Sequence, residues 1–306
     1  MRLIRDISGV QHLKTGCVAT IGNYDGLHLG HQAIMKQLVA EAGKYGLPNV
    51  VISFEPLPSE FFTGNKTQRV YPFRDKVSLL EALGIDYFLC LRFNKQMASM
   101  SPERFVSDIL FESLHVKSLI VGDDFCFGKN RTGNFDMLVN MGSSNDMQVH
   151  KTNTFDDSTG RISSTRIRQH LEKGELKAAG HLLGKPFRLS GRIRHGDKRG
   201  RTIGFPTANL RIQDNIAAAN GVYAVRVSGL TDKRLKGVAN LGNRPTVAGT
   251  ETRLEVHLFD FDQSVYGQHI TVELCDFIRP EQRFEDFAAL TAQIHKDAIR
   301  ASELLQ

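Results

Sequence analysis

The distribution of apolar and polar positions changes character partway along the chain. In the first part, short apolar runs alternate with stretches of helical spacing. Cys17–Ile21, Val50–Phe54, Asp86–Phe93 and Ser118–Gly122 read as strands, because β-branched and aromatic residues cluster there without a helical period. Between them, Gln32–Lys44 and Phe73–Leu83 have helical spacing, with Val77, Leu80 and Leu83 on one side and Gly84 as the stop. Ser101-Pro102-Glu103 opens a further helix through Leu114: serine caps, proline takes the first turn, and the acid suits the dipole. Strands alternating with helices predict an α/β domain with a parallel sheet covered on both faces.

Lys185-Pro186 breaks a glycine-punctuated helical piece, Leu171–Gly184, and the pattern then switches to consecutive strands. Phe187–Arg194, Thr207–Leu210, Gly221–Ser228, Leu235–Leu241, Thr252–Phe259 and Gln268–Phe277 all read as extended. Such a run predicts a small antiparallel β-barrel. An amphipathic helix from Arg283 closes the chain, its apolar face made of Phe284, Phe287, Leu290 and Ile294. The expected domains are therefore 1–185 and 186–306.

Length agrees, since 306 residues suffice for two cores. Apolar runs such as Ser118–Val121 are far too short to span a bilayer, and Met1–Asp6 lacks a hydrophobic signal core. A cytoplasmic protein with no membrane partner is expected, its four scattered cysteines reduced packing residues. The net charge of +6 raises nucleic acid as a partner. The one dense basic cluster, Arg192, Arg194, Lys198, Arg199 and Arg201, lies in a glycine-rich loop that suits small phosphorylated ligands as well as RNA. RNA is the lesser reading, and no nucleic-acid partner is expected. Oligomeric state is not encoded in these patterns.

Candidate chemistry begins at Gly22-Asn23-Tyr24-Asp25-Gly26-Leu27-His28-Leu29-Gly30-His31, a glycine-rich turn between a strand and a helix. Glycine admits an anion close to the backbone, and a helix start presents free N–H groups and a positive dipole end. Zinc binding by the two histidines ranks below phosphate, because no further Cys/His cluster accompanies them. At Glu55-Pro56-Leu57-Pro58 the strand stops, and Phe61 and Phe62 follow in a loop, either tucked onto the core or forming an apolar wall for a flat ligand. Asp123 and Asp124 follow a strand and could be turn residues or ligand contacts at its carboxyl end. Within Arg161–Arg168, hydroxyls and arginines suit a polyphosphate, while Ser164 or Thr165 could simply cap the helix that follows. In the second half, Thr207 and Asn209 offer the hard neutral oxygens that Mg2+ accepts alongside phosphate. Strand alternation puts Glu255 and His257 on the face opposite Leu254, Val256 and Leu258.

These strings carry a resemblance. His28-Leu29-Gly30-His31 resembles the phosphate-binding motif of the nucleotidyltransferase superfamily, which includes class I aminoacyl-tRNA synthetases. The longer Gly22–His31 string is similar to the first motif of bacterial bifunctional riboflavin kinase/FAD synthetases, where phenylalanine is usual at the position of Tyr24. Gly122–Gly133 resembles that family's second, nucleotide-binding motif, and Arg161–Arg168 its mobile serine loop that closes over ATP. Pro206-Thr207-Ala208-Asn209 resembles the hallmark of riboflavin kinases. The resemblance covers nearly the whole chain. It implies riboflavin, FMN and ATP as substrates, with Mg2+ as cofactor and FAD as final product. Adenylyl transfer would use His28 and His31 as catalytic groups, with Gly22, Asn23, Asp124, Arg161, Ser164, Thr165 and Arg168 holding ATP. Pro56, Pro58 and Phe62 would line the flavin. Riboflavin phosphorylation would use Glu255 as general base, Gly196 and Arg201 for ATP, and Thr207 and Asn209 for ATP and metal. Gly237–Thr246 and Tyr266-Gly267 would be scaffold. An adenylyltransferase with another phosphorylated acceptor is the alternative, and the Pro-Thr-Ala-Asn barrel argues against it.

Overall fold

A computed structural model describes residues 1–306 except 123, 153–154, 159, 195–204, 214 and 247–248; of 244–246 and 249–250 it describes the backbone. The chain forms two compact units, Met1–Thr67 with Lys76–Ile162, and Gln68–Asp75 with Ser163–Gln306.

The first unit is built on strands β1 (Arg2–Ile4), β2 (Cys17–Ile21), β3 (Asn49–Glu55), β4 (Tyr87–Arg92), β5 (Val116–Gly122) and β6 (Gln148–Thr152). They pair in parallel in the order β1-β4-β3-β2-β5-β6. Every residue of β2 is buried, as a strand covered on both faces requires. The crossovers contain α1 (Leu29–Tyr45), α2 (Pro58–Thr63), α3 (Phe73–Ala82), α4 (Lys95–Ser99), α5 (Pro102–Arg104, continued by a π-helical stretch Phe105–Ser113) and α6 (Phe135–Ser143). Ser101 caps α5 by accepting from the Arg104 N–H at 3.3 Å. From β2 the chain winds outward through β3 and β4, then returns to place β5 on the other side of β2. The winding direction thus reverses between β2 and β5. A two-stranded hairpin, β7 (Asp156–Asp157) and β8 (Gly160–Arg161), follows β6.

The second unit contains α7 (Ser164–Glu172), α8 (Leu176–Leu183), then β9 (Arg188–Arg194), β10 (Ala208–Ile212), β11 (Gly221–Ser228), β12 (Leu235–Thr246), β13 (Gly249–Leu258), β14 (His269–Pro280) and α9 (Phe287–Leu304). The six strands close an antiparallel barrel in the order β10-β13-β12-β11-β14-β9. Alternate residues, among them Leu189, Leu210, Tyr223, Leu254 and Val272, are fully buried. On another face, Val222, Ala224 and Val238 meet Ala301 and Leu305 from α9 and the residue after it.

Expectation and structure differ locally. Phe61 and Phe62 lie in α2 rather than a loop, because Pro58 starts a helical turn there. The cap of α7 is Ser163, whose hydroxyl accepts from the Arg166 N–H at 3.3 Å, so Ser164 and Thr165 are first-turn residues. α9 starts at Phe287 rather than Arg283, because Asp286 accepts from the Ala289 N–H at 2.7 Å. The strand run expected beyond 185 begins at Arg188, while α7 and α8 group with the barrel. All four cysteines are free thiols.

Candidate functional site

In an open parallel sheet, ligands sit beyond the carboxyl ends of the strands where the winding reverses. Here that place is the end of β2 and β5; the Gly22–His28 turn follows β2, and residues 124–128 come after β5. Tyr24 organises the turn. Its backbone is left-handed, with φ of 47°, and its side chain is buried. The phenol donates to Thr20 Oγ1 at 2.6 Å, and Thr20 in turn donates to the Ile120 carbonyl at 2.7 Å, joining β2 to β5. A Cβ at Gly22 would sit 2.9 Å from the Tyr24 ring, so glycine is required under it.

The Tyr24 ring stands edge-on to His31, with centroids 5.1 Å apart, and His31 stacks on His28 at 3.6 Å. His28 is the N-cap of α1: its Nδ1 accepts from the His31 N–H at 3.4 Å. A ring that accepts at Nδ1 carries its proton on Nε2, which leaves an N–H donor. Burial and the Arg161 guanidinium push the His28 pKa down to about 4. Burial, His28 and Lys76 hold His31 well below the usual imidazole range. Both rings are thus neutral donors at pH 7. The Nδ1 atom of His31 is buried without a hydrogen-bond partner. A Cβ at Gly30 would lie 3.1 Å from Phe155 Cβ and 3.3 Å from the His28 ring, so this helix start admits close neighbours through glycine. Asp124 pairs with Arg161 of β8 at 2.8 Å, both largely solvated, which stabilises by about 1 kcal/mol or less.

Beyond the ends of β3 and β4, Pro56 follows a cis peptide bond and Pro58 opens α2. Phe62 is 68% exposed, and its ring meets Phe61 at 5.4 Å and Phe93 at 5.8 Å. Phe54 and Phe93, 5.7 Å apart, extend this aromatic patch. Neither stood out in the sequence, since each simply ends an apolar strand. The remaining predicted residues of this set lie on α7, in the second unit. Arg168 donates to Thr165 Oγ1 at 3.2 Å and to the Gln68 carbonyl at 3.4 Å, so the two are held together; Ser164 opens the helix beside them.

The barrel assembles its set by strand register. Glu255 of β13 lies directly opposite Asn209 of β10 on one side and Asn240 of β12 on the other. Opposed residues share a face, so all three side chains project from the same side of the barrel. Asn209 is buried, and its amide lies 3.2 Å from Thr207 Oγ1. Thr207, Asn240, Glu255 and His257 line a cavity of about 440 Å³ whose opposite wall is Phe287, Leu290 and Ile294 of α9. The apolar face predicted for the last helix is therefore the wall of a cavity. Phe284 lines it from outside the helix, 5.7 Å from the Arg279 guanidinium. Among its lining residues, Arg279 forms a forked pair with buried Asp297, with a shortest contact of 2.7 Å. Phe205 packs on His257 and on His295 of α9, each at 4.7 Å. A second cavity, about 490 Å³, shares Thr207 and is lined by Pro206, Asp262 and Tyr266 among others. Asn240 and Tyr266, expected to be scaffold, thus reach cavities. Arg279, Asp297 and His295 carried no sequence signal, because their partners are distant in the chain. Gly196 and Arg201 lie outside the described residues.

The donor set of Thr207 and Asn209, a hydroxyl and an amide, fits a hard cation whose remaining ligands are phosphate and water. Among the described residues no group of three or more His, Cys, Asp or Glu side chains could hold a metal ion. No described helix is long and apolar enough to cross a membrane.

The family model described as FAD synthetase matches residues 10–166, and that described as riboflavin kinase matches residues 183–305. The bifunctional riboflavin kinase/FMN adenylyltransferase of Escherichia coli (strain K12) is 47% identical, over 99% of this chain and 97% of its own. That of Haemophilus influenzae is 44% identical, over 97% of each chain. A solved structure described as a macrolide-efflux protein from Streptococcus pneumoniae superposes with a TM-score of 0.80 at 31% identity, over 97% of this chain and 96% of that one.

Proposed function

We propose a division of chemical labour for a chain that belongs to the family of bifunctional riboflavin kinase/FMN adenylyltransferases. The chain phosphorylates riboflavin to FMN with ATP, then adenylylates FMN with a second ATP to give FAD and pyrophosphate. Residues 1–185 carry the adenylyl transfer and residues 186–306 the kinase. The family matches, which break between 166 and 183, support that division.

In the kinase, riboflavin lies with its flat ring against Phe287, Leu290 and Ile294. Glu255 takes the proton of the terminal ribityl hydroxyl as that oxygen bonds to the γ-phosphorus and the bond to ADP breaks. A base so placed contributes about two to four decades of rate. Thr207 and Asn209 would hold Mg2+, which when bound would neutralise phosphate charge. Gly196 and Arg201 hold the ATP phosphates. The single observation that carries this reading is that Glu255 and Thr207 line one cavity with an apolar wall.

In the adenylyltransferase, a phosphate oxygen of FMN bonds to the α-phosphorus of ATP as pyrophosphate leaves. Gly22 and Asn23 accommodate the phosphates, and the neutral N–H donors of His28 and His31 stabilise the charge that builds on them. Asp124, Arg161, Ser164, Thr165 and Arg168 complete the ATP contacts, and Pro56, Pro58 and Phe62 face the flavin. Such transfers need positioning and charge neutralisation rather than a covalent intermediate. A cytoplasmic location completes the proposal.

The test is turnover of purified protein with riboflavin, ATP and Mg2+, products resolved by chromatography. FMN followed by FAD is expected; formation of FAD without a Mg2+ requirement in the riboflavin step would overturn the assignment of Thr207 and Asn209.

A further inference from the structure

α3 carries a lysine into the neighbourhood of the phosphate-site turn. Lys76 is only 7% exposed, and its ammonium donates to the Asn23 carbonyl and, at 3.1 Å, to Ser53 Oγ. Ser53, fully buried on β3, reaches the same Asn23 carbonyl at 3.4 Å. The Lys76 ammonium also lies 5.6 Å from the centre of the Phe88 ring on β4.

Asn23 sits between Gly22, on which the Tyr24 ring rests, and Tyr24 itself, whose edge abuts His31. A carbonyl oxygen is the negative end of its peptide dipole and would repel a polyphosphate in this turn. With Lys76 and Ser53 both donating to it, that oxygen is held and its charge compensated. The trans peptide then turns the Tyr24 N–H the opposite way. We infer that Lys76 is a positioning residue for adenylyl transfer, acting through the Asn23 carbonyl to fix the turn that carries His28 and His31. Its charge also opposes protonation of His31. The inference rests on the reading of Gly22–His31 as the phosphate site.

The experiment uses the full chain with Lys76→Met, and His28→Ala in parallel. Lys76→Met is expected to lower kcat for FMN adenylylation at least tenfold, with KM for FMN and the rate of riboflavin phosphorylation each within twofold of the parent. Nitrogen NMR of His31, assigned through His31→Gln, should show its pKa rising in Lys76→Met. An unchanged kcat, or an unmoved His31 titration, overturns the inference. So does a loss of kcat that tracks the fall in Tm and vanishes on cooling well below it, since that marks a purely structural role. Should Lys76→Met fail to fold, Lys76→Gln is measured under the same criteria. If His28→Ala is silent, the phosphate-site reading falls with it; if Lys76→Met alone is silent, only this inference falls.

Discussion

The two candidate sites of this chain are built by different means. At the end of β2, geometry comes from backbone: a left-handed Tyr24, glycines that admit close neighbours, and a helix start capped by His28. On the barrel, it comes from strand register, which aligns Asn209, Glu255 and Asn240 before any loop is considered. The first presents neutral imidazoles in a tightly packed turn. The second holds a carboxylate over a cavity whose wall is α9. A turn transmits small shifts directly to its donors, whereas a register position moves only if a strand slips, and slipping would turn every side chain to the other face. Damage to the barrel site should therefore be chemical, and damage to the turn geometric.

The largest expected effect is Glu255→Gln, an isosteric loss of the proposed base. FMN formation should fall by roughly two to four decades, while supplied FMN is still converted to FAD. Loss of both activities in a folded variant would break the contrast. Next, His28→Ala removes one donor and the cap of α1. FAD formation should fall about a hundredfold, in the range for one preorganised donor, and FMN should accumulate.

The pH response sharpens the contrast further. His28 is held at about 4 and His31 well below the ordinary imidazole value of 6.5. Unfolded imidazoles bind protons below about 6.5 that the folded rings refuse, so their contribution to stability is complete above that pH and is lost as pH falls toward 4. The FAD-forming rate should show no limb near pH 6.5, and melting temperature should decline across that acid window. A rate limb at 6.5 would mean that the imidazoles charge in the folded protein.

The smallest effect belongs to Tyr24→Phe, the residue usual in the resembled family. Thr20 keeps its donation to Ile120 and loses the phenol, a cost of about 1 kcal/mol for one buried hydrogen bond. Urea denaturation should register that loss while FAD formation stays within about twofold, because the ring still packs on Gly22 and His31.

Much of this was legible beforehand where the signal is local. Alternation put Glu255 and His257 on one side, and both line the same cavity. Helical spacing identified Phe287, Leu290 and Ile294 as a face, although a face looks the same whether it meets a core or a ligand cavity. The cap of α7 is one residue earlier than the sequence suggests, because Ser163, Ser164 and Thr165 all offer a hydroxyl and backbone geometry selects among them. Phe61 and Phe62 lay too close to two prolines for a helical turn to show.

The sequence by itself determined the four central strands β2, β3, β4 and β5 of the sheet (but not its edge strands β1 and β6), the change from alternating elements to consecutive strands, and the residue types available to each site. Those follow from periods of 2 and 3.6 residues and from motif spacing, all properties of neighbouring positions. Tertiary structure decided what those residues touch. Thr20 meets Ile120 a hundred positions away, Lys76 meets Asn23 and Ser53, and Arg279 meets Asp297 in the lining of a cavity. Contacts of that kind arise when sheet order and helix packing bring distant positions together, and a linear pattern carries no record of them.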